Sequence, residues 1–157
     1  LSFRGLDLNV FAQYSKGNDI FNANRIYTDD FGSYDDNHTD RALRRWTPEN
    51  RNTTEPRAVY GDPNRNVRDS DRFVEDGSYV RLKNVVLGYT FPTRFATRSG
   101  FRTARIYVQG QNLATWTDYS GFDPEVNYAG NASVTRGTDF YTYPQARTVT
   151  VGFNLGF

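Results

Sequence analysis

The closing stretch of the sequence reads Arg147-Thr-Val-Thr-Val-Gly-Phe-Asn-Leu-Gly-Phe157, and its pattern decides the fold class. Apolar residues alternate in it with small or polar ones: one set is Val149, Val151, Phe153, Leu155 and Phe157, and the other is Thr148, Thr150, Gly152, Asn154 and Gly156. Successive side chains of a β-strand point to opposite faces. The alternation therefore predicts a strand over residues 147–157 with one apolar face.

Three further stretches have the pattern of strands, at about residues 5–14, 78–91 and 105–114. In the second of these, the apolar residues change parity near Asn84. This change predicts a β-bulge there, or a part of the strand that stands above lipid. The third loses its alternation at Asn112-Leu113. All four stretches are long enough for a tilted membrane strand, which requires ~9–11 residues.

The links between these strands differ strongly in length. Residues 92–104 form a short basic link, whereas residues 15–77 and about 117–146 are long and rich in Asp, Asn, Gly, Pro, Tyr and Arg. Short periplasmic turns and long extracellular loops are typical of outer-membrane barrels. Four strands cannot close a barrel, because the smallest have about eight. We therefore predict an all-β fold in which the chain is a fragment of a larger transmembrane barrel.

The amino-acid composition of the chain limits the classes of protein to which it can belong. Only 37% of the residues are hydrophobic but 16% are aromatic, which suits a membrane barrel with aromatic girdles and also a soluble all-β domain. The net charge of +1 gives no indication of nucleic-acid binding. The sequence has no cysteine, which excludes disulfides and thiol catalysis. No apolar run approaches the ~20 residues of a membrane-spanning helix.

Six local motifs, taken in order, resemble the SusC/RagA-type TonB-dependent transporters. They are Gly17-Asn-Asp-Ile-Phe-Asn22, Arg45-Trp-Thr-Pro-Glu-Asn50, Asp71-Arg-Phe-Val-Glu-Asp-Gly-Ser-Tyr-Val-Arg-Leu-Lys-Asn-Val-Val-Leu-Gly-Tyr89, Val108-Gln-Gly-Gln-Asn-Leu-Ala114, Tyr119-Ser-Gly-Phe-Asp-Pro-Glu-Val-Asn127 and Tyr143-Pro-Gln-Ala-Arg-Thr148. Their order and spacing are similar to those of the last four strands of that family. The resemblance covers nearly the whole chain.

The resemblance implies the C-terminal part of a plugged barrel of about 22 strands in the outer membrane of a Gram-negative bacterium. It also implies import of oligosaccharides or peptides, a SusD-like surface lipoprotein as partner, and energy from the TonB complex. The plug and the segment that contacts TonB would lie outside residues 1–157. The implied protein is a transporter in a lipid bilayer, without a cofactor, and not an enzyme.

Two groups of residues are candidate functional residues. We expect the aromatic residues in or beside the long links to contact substrate or partner, or to pack within the loops: Trp46, Tyr60, Trp116, Tyr119, Phe122, Tyr128, Tyr141 and Tyr143. Phe157, with Phe153 and Leu155, ends an apolar strand face. The resemblance implies that these three residues form the signal read by the barrel-assembly machinery.

Other candidates favour simpler interpretations. The pairs Asp29-Asp30 and Asp35-Asp36 could bind Ca²⁺, but a solvated acidic loop is the better interpretation. Asp62-Pro-Asn-Arg-Asn66 lacks the glycine and closing glutamate of a calcium loop. His38 has no companion His or Cys, so we expect no metal site. A single loop histidine also gives no basis for a Ser–His–acid catalytic set.

Two rival functions stay open at the level of the sequence. The first is a TonB-dependent siderophore or cobalamin receptor, which would share the architecture but lack the SusD-like lipoprotein. The second is a soluble carbohydrate-binding β-sandwich, with its aromatic residues in a groove.

Overall fold

The computed structural model describes residues 1–32, 37–128 and 136–157, and it confirms the all-β class. The chain divides into two compact units. The sheet unit comprises Leu1–Lys16, Ser78–Asp118 and Pro144–Phe157, and the loop unit comprises Gly17–Gly77 and Tyr119–Tyr143. In chain order the elements are β1 (Ser2–Phe3), β2 (Leu6–Ser15), β3 (Asp19–Asn22), α1 (Asn24–Thr28), a 3₁₀ helix (Asp40–Arg44), a second 3₁₀ helix (Asp71–Phe73), β4 (Val74–Asp76), β5 (Tyr79–Thr90), α2 (Thr93–Arg98), β6 (Thr103–Thr117), β7 (Thr138–Asp139) and β8 (Thr148–Gly156).

The sheet unit is a single five-stranded sheet in the order β1-β2-β5-β6-β8, and all neighbouring strands are antiparallel. Its four long strands lie where the sequence alternates. β6 is longer than the alternation indicates, because it continues through Asn112 and Leu113 to Thr117. No described helix is long and apolar enough to cross a membrane.

The predicted bulge in β5 is confirmed, and the pairing register skips Lys83. In the pairing with β2, Asn84 lies opposite Phe11 and Leu82 lies opposite Ala12. In the pairing with β6, the register also shifts between Leu82 and Asn84. The extra residue reverses the parity of β5. As a result, Leu82 lies on the same face as the apolar residues beyond Asn84.

β6 has its own irregularity where its alternation fails. Asn112 has a positive φ of 51°. A Cβ at Gly110 would lie 2.7 Å from the side chain of Leu113, so that side chain covers the position that Gly110 leaves empty. The irregularity adds two residues to β6, and the even-numbered residues therefore face the same side before and after it.

Residues that lie directly opposite each other in an antiparallel sheet share a face. The register therefore builds continuous apolar rows across β2, β5, β6 and β8, and we call this surface the apolar face. The rows are Leu6–Tyr89–Ile106–Phe153, Leu8–Leu87–Val108–Val151 and Val10–Val85–Gly110–Val149, followed beyond the bulge by Ala12–Leu82–Ala114 and Tyr14–Val80–Trp116. Most of these side chains are exposed, for example Val151 at 59% and Phe153 at 69%.

The opposite, polar face has a different chemistry. Arg105 forms an ion pair with Asp7, with 3.0 Å from Nε to Oδ1 and 2.6 Å from Nη2 to Oδ2. This pair crosses Gly88, where a Cβ would lie 2.2 Å from the guanidinium. Gly152 leaves the same kind of space for the Tyr107 ring. The small residues of this face thus make room for large polar neighbours.

The loop unit contains the two long links, and they carry more regular structure than the sequence indicates. β3 pairs antiparallel with β4 and parallel with β7. The buried apolar residues of the loop unit include Ile20, Phe73, Tyr119 and Val126. Phe73 packs edge-on against Phe21, with ring centroids 6.3 Å apart.

Candidate functional site

Four aromatic rings of the loop unit lie together, and we call them the aromatic cluster: Tyr27, Tyr128, Phe140 and Tyr141. Phe140 is at the centre, with ring centroids 4.7 Å from Tyr141, 5.4 Å from Tyr128 and 5.9 Å from Tyr27. Tyr128 is 55% exposed and Tyr141 is 70% exposed. The cluster therefore presents flat apolar rings and phenol hydroxyls at the surface, a combination that suits sugar rings and protein interfaces.

The backbone around the cluster is fixed by hydrogen bonds. The amide of Tyr141 donates to Asn24 Oδ1 at 2.8 Å, which connects it to the beginning of α1. The amide of Tyr128 donates to the carbonyl of Thr138 in β7 at 3.0 Å. Tyr141 has a positive φ of 51°, a conformation that non-glycine residues adopt only where their surroundings enforce it. Hydrogen bonds thus fix the backbone that carries Tyr128 and Tyr141.

Six of the eight predicted aromatic residues lie outside this cluster, and four of them are loop residues near the surface. Tyr60, Phe122 and Tyr143 are strongly exposed, and Trp46 is half-buried with the guanidinium of Arg57 6.0 Å from its ring. The structure therefore brings together only two of the eight predicted aromatic residues, Tyr128 and Tyr141. Tyr27 and Phe140 were missed, although Phe140 stands directly beside Tyr141 in the sequence.

Trp116 is a strand residue and not a loop residue. It lies in β6 opposite Val80, in the last row of the apolar face, and is 60% exposed. An exposed tryptophan at one end of an apolar strand face is typical of a membrane–water interface. Trp116 therefore belongs to the apolar face of the sheet unit and not to the loop unit.

Tyr119 is a core residue of the loop unit rather than an exposed contact. It is 5% exposed, and its hydroxyl donates to Asp139 Oδ2 at 2.7 Å. Burial raises the pKa of Tyr119 far above its ordinary value, and the hydrogen bond to the Asp139 carboxylate raises it further. Tyr119 therefore stays protonated and joins β7 to the segment that follows β6.

A buried ion network lies in the same unit. Arg25 donates through Nε to Asp29 at 2.7 Å and through Nη1 to Glu75 at 3.0 Å. Glu75 also accepts from the amide and the hydroxyl of Ser120, both at 2.8 Å. Burial raises the pKa of Glu75, but the hydrogen bonds from Ser120 and Arg25 together outweigh burial and hold this pKa below its ordinary value.

Glu55 extends this network with two more arginines. Its carboxylate accepts from Arg72 at 3.0 Å and from Arg41 at 3.2 Å. Arg72 also lies over the Phe73 ring, 5.3 Å from its centroid. Buried charges are stable only when they are paired and hydrogen-bonded in this way. The network connects segments far apart in sequence, and its role is structural.

The acidic candidates have protein partners. The interpretation of a solvated acidic loop is wrong for Asp29 and Asp30, because both are buried and Asp30 Oδ1 lies 3.3 Å from Nδ1 of His38. Asp62 accepts from the Asn66 amide at 2.8 Å. Residues 35 and 36 lie outside the described residues. In the described part of the chain, no group of three or more His, Cys, Asp or Glu could hold a metal ion.

The three residues of the expected assembly signal lie at the end of the apolar face. Phe153, Leu155 and Phe157 are all exposed, and the Phe157 ring contacts the Phe101 ring edge-on at 5.3 Å. They are thus available to a lipid or protein partner.

Comparisons with known proteins agree with one another, although no family model matches the chain. TonB-dependent receptor P3 of Formosa agariphila is 41% identical over 161 residues, a match that covers 100% of this chain and 15% of that protein. TonB-dependent receptor SusC of Bacteroides thetaiotaomicron is 34% identical over 89 residues, which cover 56% of this chain and 8% of SusC. The solved structure of the RagAB peptide importer in its closed-closed state matches with a TM-score of 0.80 and 30% identity, over 99% of this chain and 16% of that chain. This chain therefore spans a small part of the length of each relative.

Proposed function

Because this chain fits a fragment of a SusC/RagA-type TonB-dependent receptor, we propose that it forms part of the wall and outer face of a nutrient importer. The importer would lie in the outer membrane of a Gram-negative bacterium. It would take up oligosaccharides or peptides, with energy supplied through TonB. The chain would carry out binding and passage, and no bond chemistry.

The apolar face is the observation that carries this proposal. Its rows extend across three or four strands, and most of their side chains stay exposed within this sheet. Water would oppose such a surface at ~25 cal/mol per Å² of apolar area, whereas lipid would not. The sheet also has two edges in this chain. Further strands of the full-length importer, which we call the parent, would pair with these edges, because unpaired backbone groups are costly in lipid.

The orientation follows from the connections. α2 lies in the short link between β5 and β6, which we place on the periplasmic side. The two segments of the loop unit, residues 17–77 and 119–143, follow the opposite strand ends and would lie on the extracellular side. The aromatic cluster would then be available to substrate or to a SusD-like surface lipoprotein.

The partner and substrate class are supported by what the relatives are called. One relative is SusC, and the solved neighbour is described as a peptide importer. We propose a SusD-like lipoprotein on the outer face and the TonB complex at the periplasmic side, which would act through parts of the parent outside this chain. We further propose that Phe153, Leu155 and Phe157 are read by the barrel-assembly machinery.

Uptake by the producing bacterium tests the function. The full-length parent is deleted, and growth is compared on oligosaccharides or peptides and on their monomers as sole nutrient. We expect the deletion strain to fail to grow either on the oligosaccharides or on the peptides, while it continues to grow on the corresponding monomers. Removal of TonB should have the same effect. A tagged parent, solubilised from the outer membrane, should co-purify with a surface lipoprotein in similar amount.

A different pattern of growth would contradict this proposal. If the deletion strain grows on both polymers but fails under limitation of iron or cobalamin, the parent is a siderophore or cobalamin receptor. Recovery of the tagged parent from the soluble fraction would favour the carbohydrate-binding domain instead.

A further inference from the structure

The link between β5 and β6, residues 91–102, has an unusual charge composition, and we call it the basic turn. It carries Arg94, Arg98 and Arg102 and no acidic residue. All three arginines are exposed. Within the ranges that the structure describes, none of their guanidinium groups forms a salt bridge or a hydrogen bond. Three cations therefore stand close in sequence without a counter-charge from the residues that the structure describes.

The basic turn is an ordered part of the sheet unit. α2 begins after Pro92, and Ala96 in its middle is completely buried. The helix ends at Arg98, and Gly100 follows two residues later with a φ of 84°, which allows the amide of Phe101 to donate back to the Ala96 carbonyl at 3.0 Å. The amide of Arg102 donates to the Gly156 carbonyl in β8 at 2.7 Å. The arginines thus project from a fixed backbone.

The spacing of the first two arginines places their charges on one side of the turn. Arg94 and Arg98 are four residues apart in α2, so they lie on the same helix face, about 6 Å apart along its axis. Arg102 follows directly after the turn that ends the helix. Each guanidinium can donate two parallel hydrogen bonds to a phosphate.

Aromatic rings surround these charges and continue the apolar face. Phe95 is 57% exposed and stacks on Phe91, with ring centroids 5.3 Å apart. The Phe91 ring in turn packs against Tyr89, with ring centroids 5.1 Å apart. On the other side of the turn, the Phe101 and Phe157 rings pack together, with their centroids 5.3 Å apart. Aromatic rings and cations at the border of an apolar surface are the composition of a membrane–water interface.

We propose that the basic turn binds the phosphate headgroups of anionic phospholipids in the periplasmic leaflet. This proposal rests on the membrane placement proposed above. The occupant follows from two observations: the charges lack acidic partners among residues 1–32, 37–128 and 136–157, and the rings of Phe95 and Phe91 join the turn to Tyr89 of the apolar face. Lipid that covers the apolar face would bring its headgroups to the level of Arg94, Arg98 and Arg102.

Lipid retention by the purified parent tests the proposal. The full-length parent is delipidated in nonionic detergent and titrated with phosphatidylglycerol or with phosphatidylcholine of the same acyl chains, and bound lipids are counted by native mass spectrometry. We expect the wild type to prefer phosphatidylglycerol. The variant with Arg94→Gln, Arg98→Gln and Arg102→Gln should lose roughly tenfold or more of that preference, because each cation near the surface attracts anionic lipid.

Matched variants separate this site from a general charge effect. The control carries Arg51→Gln, Arg65→Gln and Arg68→Gln, which remove the same charge from exposed positions of the loop unit, and should bind lipid like the wild type. Lysine at positions 94, 98 and 102 should keep most of the preference. If the glutamine variant does not fold, as judged by heat-modifiable mobility, the lysine variant and the salt dependence of the wild type decide.

Three results would overturn the proposal: equal lipid preference in the glutamine variant and the control, a wild-type preference that does not weaken with added salt, or displacement of phosphatidylglycerol by an equal concentration of inorganic phosphate. Fractionation of the same cells separates this failure from a failure of the proposed function. A parent that is found in the outer membrane but lacks headgroup preference contradicts only the lipid site.

Discussion

Thr150 and Val151 are neighbours in β8 that lie on opposite faces of the sheet. Val151 lies opposite Val108 in the second row of the apolar face, whereas Thr150 lies opposite Gln109 on the polar face. Only one of the two should therefore meet lipid.

Arginine at these two positions gives a matched pair of variants. We expect Val151→Arg to cost ~2–4 kcal/mol of barrel stability, the cost of an arginine on the lipid face near the middle of the membrane. Thr150→Arg should cost much less, because a polar interior can accept it. Stability is measured by urea unfolding of the parent in lipid vesicles. Equal costs would mean that the register of β8 is wrong by one residue.

Glu75 makes the loop unit sensitive to acid. Its folded pKa lies below its ordinary value of 4.5, so its contribution to stability is present above about pH 4.5 and is lost as the pH falls through the folded pKa. Glu75→Gln should lower the free energy of unfolding of the loop unit by about 1–3 kcal/mol at pH 7. Below pH 4, the variant should lose less additional stability than the wild type. Hydrogen exchange of peptides from the loop unit, corrected for its intrinsic pH dependence, measures this. An unchanged pH profile in the variant would contradict the role of Glu75.

Individual contact residues could be predicted only in part. Tyr128 and Tyr141 stand in a long polar link and do lie at the surface, as their place in the sequence indicates, but their contact with substrate or partner stays a prediction. The place of Tyr27 depends on a contact between Asn24 and Tyr141, which are 117 residues apart. The burial of Tyr119 depends in the same way on Asp139. No local pattern indicates such distant partners.

At the level of elements, the bulge at Lys83 keeps β5 in register with both neighbours. The sequence indicates this irregularity as a change of parity, which fits a bulge and also a part of the strand that stands above lipid, and the structure shows the bulge. Alternation also indicates the long strands, because each presents one face to a uniform environment. β3, β4 and β7 have only two to four residues each, which is too short for any periodicity to be detected.

Deletion of Lys83 tests the bulge. Without this residue, Leu82 and Asn84 would be adjacent and would keep their present faces in a regular strand beside β2. We therefore expect the parent to assemble with only a modest loss. Deletion of Val151 from β8, where the register has no bulge, should turn part of that strand to the wrong face and abolish assembly. Equal loss for both deletions, measured as heat-modifiable parent in the outer membrane, would contradict the assignment.

At the level of the whole molecule, assembly and binding should be separable. Phe157 lies at the end of the apolar face, in the sheet unit, whereas the aromatic cluster is in the loop unit. Phe157→Ser in the full-length parent should lower its outer-membrane level several-fold and leave unfolded protein in the periplasm. The molecules that do assemble should bind substrate with unchanged affinity. Normal assembly with weakened binding would place Phe157 in a binding site instead.

The most direct test of the account is the environment of successive residues along β8. Nitroxide labels are placed singly at positions 148 to 155 of the full-length parent in lipid vesicles, and their relaxation by oxygen, which is enriched in lipid, is compared with that by a water-soluble nickel chelate. We expect high oxygen and low nickel accessibility at positions 149, 151, 153 and 155, and a shift toward nickel at 148, 150, 152 and 154. Accessibility without a period of two, or with the opposite parity, would contradict a wall whose apolar face meets lipid.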